Sequence, residues 1–334
     1  MHASALLRHW TLFALAGSLS ITLLIAESKE ARGVTKADVD LLVKQLSNWG
    51  RWGSADELGA LNLITPTKRA EAARLVTKGI SVSLARNVEK RRAPDNPSPF
   101  DHTMLATGEI EGTMWSGDHL AVSYHGYAHT HVDSLCHLFH DGKMYNGFSQ
   151  KEVTQTGAKK LSIHNVKTGI FTRAVLMDLP RLKGVDFLPP GTSIYPEDLS
   201  AWCEKVGTKV RSGDVVLIYT GRWKKRDKDG PWGFNDAGVA GLHVSCAKWL
   251  KDRDVAVLGT DGAADVLPSR IPGYPQPIHL LMLHAMGVHI LDNLELERLS
   301  LEANRLQRWD FLLTVAPLAV EGGTGSPVNP IATF

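Results

Sequence analysis

Cysteine is scarce. Cys136, Cys203 and Cys246 are the only three in 334 residues, far apart and in no Cys-x-x-Cys pair. That spacing excludes a zinc knuckle or a disulfide framework, and each thiol reads as a small buried hydrophobe. An excess of one charge is also lacking: 37 Lys and Arg against 35 Asp and Glu leave a net +2, with no basic block or stripe. Nucleic acid is therefore not expected as a partner. The absence of a Gly-x-Ser-x-Gly elbow argues against a serine hydrolase. Neither a phosphate loop nor a dinucleotide fingerprint occurs, which argues against a nucleotide enzyme. From Ala37 onward there is no low-complexity linker and no repeat of fixed period.

What is present is ordinary globular material, 43% hydrophobic and 22% charged, enough for one large domain or two modest ones. The first thirty residues stand apart. Arg8 and His9 precede an almost wholly apolar run from Trp10 to Ala26, which Glu27-Ser-Lys-Glu ends. Residues 1–31 read as an export-signal-like segment; a retained anchor or an extended start site are the alternatives. The run falls slightly short of the roughly 20 apolar residues of a spanning helix, so no stable membrane partner is expected. A cleaved signal would place the protein in the periplasm or outside the cell; otherwise it is cytoplasmic. The domain itself is assigned to residues 38–334.

Along that domain, Asp38 to Leu46 predicts a short helix capped by an acidic residue, and Thr65-Pro66 opens another. Ile80 to Ala85 alternates as a strand does, and Lys90 to Asp101 predicts a loop. The second half then alternates. Strands are expected from Ala174, Asp214, Val255, Val288 and Phe311, with helices from Glu197, Ser245 and Ile278. Continuous apolar strands separated by helices indicate a sheet covered on both faces. The expected class is α/β, one domain, with room for an antiparallel part.

Six of the 14 histidines lie between His119 and His140, in His125-Gly-Tyr-Ala-His129-Thr-His131-Val-Asp133-Ser-Leu-Cys-His137-Leu-Phe-His140. Imidazole and carboxylate are ligands of zinc, manganese and iron, and three such groups with water make an open catalytic site. On a strand, His129, His131 and Asp133 would share one face. Residues two apart are about 6.5 Å apart, an easy span for chelation, whereas residues four apart are about 13 Å apart. His131 with Asp133 is thus the firm pair. The third ligand needs a bend or another segment, with His129 the nearest candidate and His125 the next. His137 is the expected acid/base group, because imidazole titrates in the working range. His140 and Asp141 read as outer or loop residues.

These residues resemble the cyclase family of metal hydrolases, which includes bacterial kynurenine formamidase and isatin hydrolase. Its hallmark is His-x-Gly-Thr-His-x-Asp-x-x-x-His, which Thr130-His131-Val132-Asp133 and His137 match in spacing. The hallmark's first histidine falls on Tyr127 and its glycine on His129, leaving the first ligand to His129 or His125. The resemblance runs from about Asn48 to the C-terminus. It is carried also by Asn48-Trp-Gly-Arg-Trp-Gly, Pro189-Pro-Gly, Ser212-Gly-Asp-Val-Val-Leu and Gly259-Thr-Asp, in that order. It implies His131 and Asp133 as metal ligands and His137 as the catalytic residue. A second metal position is implied at His279, with Asp292-Asn293-Leu294 in place of the family's Glu-Asn-Leu.

The same resemblance implies a compact domain of the swivelling β/β/α type that forms dimers or tetramers. It also implies one or two divalent ions per chain, zinc or manganese, and a small-molecule substrate. The expected reaction is hydrolysis of a C–N bond in a small aromatic amide or cyclic amide, as in N-formylkynurenine or isatin. Trp115, Tyr124, Tyr127, Phe139, Tyr145 and Phe148 are candidates to stack on an aryl group. A lactonase, dehydratase or cyclase on the same metal is the alternative within enzymes, and a periplasmic binding protein without turnover is the alternative outside them.

Overall fold

A computed structural model describes residues 33–334; the signal-like segment lies outside the described residues. Its centre is a nine-stranded sheet. In chain order the main strands are β1 (Ser81–Ser83), β2 (Asp101–Ala106), β3 (Gly117–Ala121), β4 (His131–Asp133), β5 (Ile170–Asp178) and β6 (Val215–Tyr219). They continue with β7 (Val257–Thr260), β8 (His289–Asp292), β9 (Asp310–Val315), β10 (Gly325–Pro327) and β11 (Ile331–Thr333). The sheet order is β1-β11-β9-β5-β6-β7-β8-β4-β10, while β2 and β3 pair apart as a hairpin.

The four middle strands, β5 to β8, run parallel. Their side chains are almost all buried, as expected where both faces are covered. Antiparallel strands complete both edges. The mixed α/β single domain expected from the sequence is the one observed. Helix Pro196–Lys205 shows how a cover helix is fixed. Pro196 sits in its first turn, Asp198 accepts from the Tyr195 amide, and Trp202 donates its indole N–H to the Leu176 carbonyl at 2.8 Å. Burying such an indole contributes a few kcal/mol.

Several local expectations are corrected. The first helix spans Lys36–Gln45, and its cap is Thr35, not an acid; Asp38 is the reciprocal partner in a capping box. The strand expected over 129–133 is extended only from His131, because the chain bends through residues 125–129. The helix expected over 278–286 is a single α turn, Pro277–His279, running into a π-helix, Leu280–Met286. Such wide turns concentrate near functional sites. Helices Arg222–Asp229 and Glu297–Leu306 and the β2–β3 hairpin carried no strong sequence signal. That hairpin exposes Met104, Leu105, Met114, Trp115 and Leu120. Among the described residues no helix is long and apolar enough to cross a membrane.

Candidate metal centre

Strand β4 lies between β8 and β10, and its register decides which side chains meet. His131 stands opposite Asp292 and Asp133 opposite Ile290. Opposed and next-but-one residues share a face, so His131, Asp133 and Asp292 converge while Val132 enters the core. On the other side Gly325 lies opposite Asp133. A Cβ built there would come within 2.5 Å of the Val132 carbonyl oxygen and 3.0 Å of His125 Cε1. Only glycine lets the His125 ring lie against β10.

Two groups of ligand-type atoms, each mutually within 4.8 Å, result: His125, Asp133 and His137, and His131, Asp133 and Asp292. Asp133 belongs to both. His125 Nδ1 and Asp133 Oδ1 stand 2.9 Å apart, yet they lack hydrogen-bond alignment and neither has another partner. Asp292 Oδ1 is buried and unpartnered as well. Orphaned buried polar atoms cost about 1–3 kcal/mol each, more when charged, and here they belong to the two groups that meet at Asp133. Imidazole and carboxylate converging in this way is a donor set for zinc or manganese. The residues fit a divalent ion.

Local hydrogen bonds aim the rings. His131 Nδ1 donates to the His129 carbonyl at 2.8 Å, so its Nε2 faces Asp133 Oδ1 at 3.4 Å. His279, in the turn before the π-helix, brings Nε2 to 3.1 Å from Asp292 Oδ2 and 3.9 Å from Asp133 Oδ2. His137 stacks face to face on His125, ring centres 3.9 Å apart.

Electrostatics follow from this crowding. Burial alone would raise the Asp133 carboxyl, but His131, His125 and His137 outweigh it and hold it well below the carboxylate range. Burial opposes charge on His279, yet Asp292 and Asp265 lift it well above an ordinary imidazole. At His131 the same contest, burial against Asp133, ends in a raised value. At His137 burial wins over the attraction of Asp133 and pushes the ring down to about 4.

Of the residues expected from the sequence, the structure gathers His131, Asp133, His137, His279 and Asp292. It does not bring His129 to them. The bend before β4 turns that ring away to the Ser98 carbonyl and the Phe100 ring, and only its backbone oxygen serves the centre. The ring that meets Asp133 is His125, the second of the two candidates. Tyr127 packs on Phe234, ring centres 4.3 Å apart, beside a cavity of about 500 Å³. Tyr124 lies against His125 at 4.5 Å. Tyr145 is buried with its hydroxyl on Asp56, Phe148 packs at the core's edge, and Trp115 and Phe139 are exposed. His140 lies elsewhere, edge-on to His284.

The chain matches, over residues 34–264, the family model described as "Putative cyclase". A solved structure described as a novel cyclase is 30% identical, covers 86% of this chain and 99% of its own, and superposes with a TM-score of 0.79. The chain belongs to the cyclase family. Isatin hydrolase A from Ralstonia solanacearum shares its fold, at 21% identity, 80% and 95% coverage and a TM-score of 0.55. The isatin hydrolase A of Labrenzia aggregata, solved with benzyl benzoate, is alike at 21%, 78%, 94% and 0.54. No curated protein matches by sequence.

A clamp that spacing did not disclose holds the 126–130 bend. Asn293, in the left-handed conformation at φ 57°, donates to the carbonyls of Gly126 and His129, and its backbone carbonyl accepts from Thr130. Buried Arg222 donates to Asn293 Oδ1, Asp95 and the Tyr127 carbonyl. The Gly259-Thr-Asp stretch has a local task. Asp261 accepts the amides of Thr220, Gly221 and Arg222, which starts the Arg222–Asp229 helix. Asp265, against His279, is a further residue with no sequence signal.

Proposed function

We propose that this protein is a metal-dependent hydrolase that cleaves a C–N bond in a small aromatic amide or cyclic amide. The observation that carries the reading is the pair of histidine–carboxylate groups joined at Asp133, with unpartnered oxygens on both Asp133 and Asp292. His125, His131, Asp133, His279 and Asp292 would hold one or two divalent ions, zinc or manganese. Such an ion supplies Lewis acidity toward a carbonyl and lowers the pKa of water to about 7.

The protein's own contributions are positioning and proton transfer. Asp133 and Asp292 provide the fixed negative charge, and the tautomer of His131 is set by the His129 carbonyl. His137, held neutral by burial, can take a proton at a ring nitrogen and return it to the departing amine. Tyr127 and Phe234 form an aromatic wall beside the cavity, suited to an aryl group. The apolar β2–β3 hairpin supports self-association as a dimer or tetramer.

Elemental analysis of purified protein, with turnover of N-formylkynurenine, isatin and simple lactones assayed in parallel, tests the reading. Asp133→Ala and His131→Ala should lose metal and turnover together. A metal-bearing protein that hydrolyses lactones alone would transfer the chemistry to C–O bonds. Retention of metal by both variants would end the proposal.

A further inference from the structure

An imidazole can offer Nε2 as a ligand only when its remaining proton sits on Nδ1. His279 points Nε2 at Asp292 and Asp133, so something must keep the proton on the opposite nitrogen. Asp265 is placed to do so. Its Oδ2 lies 2.7 Å from His279 Nδ1 and also accepts the His279 amide at 3.1 Å, while Oδ1 accepts the Ile278 amide at 2.6 Å. Both oxygens are spent on the turn that carries His279. The carboxylate is buried, so the bond to Nδ1 does not compete with water.

Asp265 is itself held from behind. It bridges Leu242 in parallel register, with Leu242 donating to the Ala264 carbonyl at 2.9 Å and Val266 to the Leu242 carbonyl at 3.2 Å. A Cβ built on Gly241 would fall 2.3 Å from the Asp265 carbonyl oxygen. The backbone at 265 is therefore pressed against a residue with no side chain. Capping a turn needs only the two amides; the contact with Nδ1 goes beyond capping.

We infer that Asp265 is the positioning residue for His279, a carboxylate that fixes ring orientation and tautomer so that Nε2 faces the metal centre. The inference rests on the metal reading given above. Asp265→Asn keeps one half of the cap and reverses the contact at the ring. Its amide oxygen, in the place of Oδ1, still accepts the Ile278 amide, whereas its NH2, in the place of Oδ2, gives up the His279 amide and opposes an N–H on Nδ1, favouring protonation of Nε2. Losing such a partner costs metal centres about 10- to 100-fold in affinity.

The test is zinc affinity by chelator competition on the full chain, with the metal-free melting temperature measured alongside. Nitrogen-15 spectra of zinc-loaded protein then report which nitrogen of His279 carries the proton. Asp265→Asn should bind zinc 10- to 100-fold more weakly, with only a small drop in metal-free melting temperature from the one lost cap bond, and Asp265→Glu should recover part of the affinity. Parental affinity in Asp265→Asn overturns the inference. So does a proton on Nε2 of His279 in the unsubstituted, zinc-loaded protein, a result that needs no variant to fold. Asp133→Asn separates the two claims. If it too keeps parental zinc affinity, the metal reading has failed; if it loses zinc while Asp265→Asn does not, only the role of Asp265 has failed.

Discussion

His284 makes the fold acid-sensitive by an amount that can be worked out. Its side chain is buried in the π-helix, edge-on to Trp49 at 5.0 Å and to His140 at 5.3 Å, and its Nδ1 has no partner. Burial, with a smaller push from His140, lowers it to about 4, against 6.5 for a free imidazole. Between those values the unfolded chain binds the proton and the folded chain does not, so stability falls as pH falls through that window. From pH 7 to pH 5 the loss from this residue alone is about 2 kcal/mol, and it approaches about 3 kcal/mol near pH 4.

His284→Phe keeps an aromatic ring against Trp49 and leaves intact the bond from Trp49 to the residue-284 carbonyl, but it cannot titrate. Thermal or denaturant unfolding of parent and variant, with chelator present, at pH 7 and pH 5 provides the assay. The parent should lose about 2 kcal/mol more than the variant across that interval. Equal losses would refute the reasoning, because they would mean that His284 is protonated in the folded protein without penalty.

Three more expectations concern the centre. His125→Ala should lose bound metal, whereas His129→Ala should keep it, since only the first ring reaches Asp133; metal content of the two variants decides. Gly325→Val should crowd His125 and the Val132 carbonyl, costing about 1–3 kcal/mol and displacing metal, read by melting temperature and elemental analysis. His137→Ala should keep its metal and lose about 10²- to 10⁴-fold in turnover; loss of metal instead would make His137 a ligand rather than a proton carrier.

Residue pattern alone was enough for the class of the fold and for a candidate metal-binding pair. Buried strands declare themselves by continuous apolar runs, as in Val215–Tyr219, because both faces are dry. His131 and Asp133 declare themselves because two residues apart on a strand is a chelating distance, and local geometry is written in spacing. What lay across the chain was legible only through resemblance, or not at all. Asp292 reaches His131 through strand pairing, and His279 arrives from a turn more than 140 positions away. Asp265 acts through a hydrogen bond to a ring, which leaves no periodic trace.

The exchange of His129 for His125 has the same origin. Strict alternation holds only while the backbone stays extended, and it stops at His131 because Asn293 and Arg222 hold the preceding loop in a bend. Those partners come from other parts of the chain. The sequence supplied the candidate ligand types; the tertiary hydrogen bonds chose which ring turns inward.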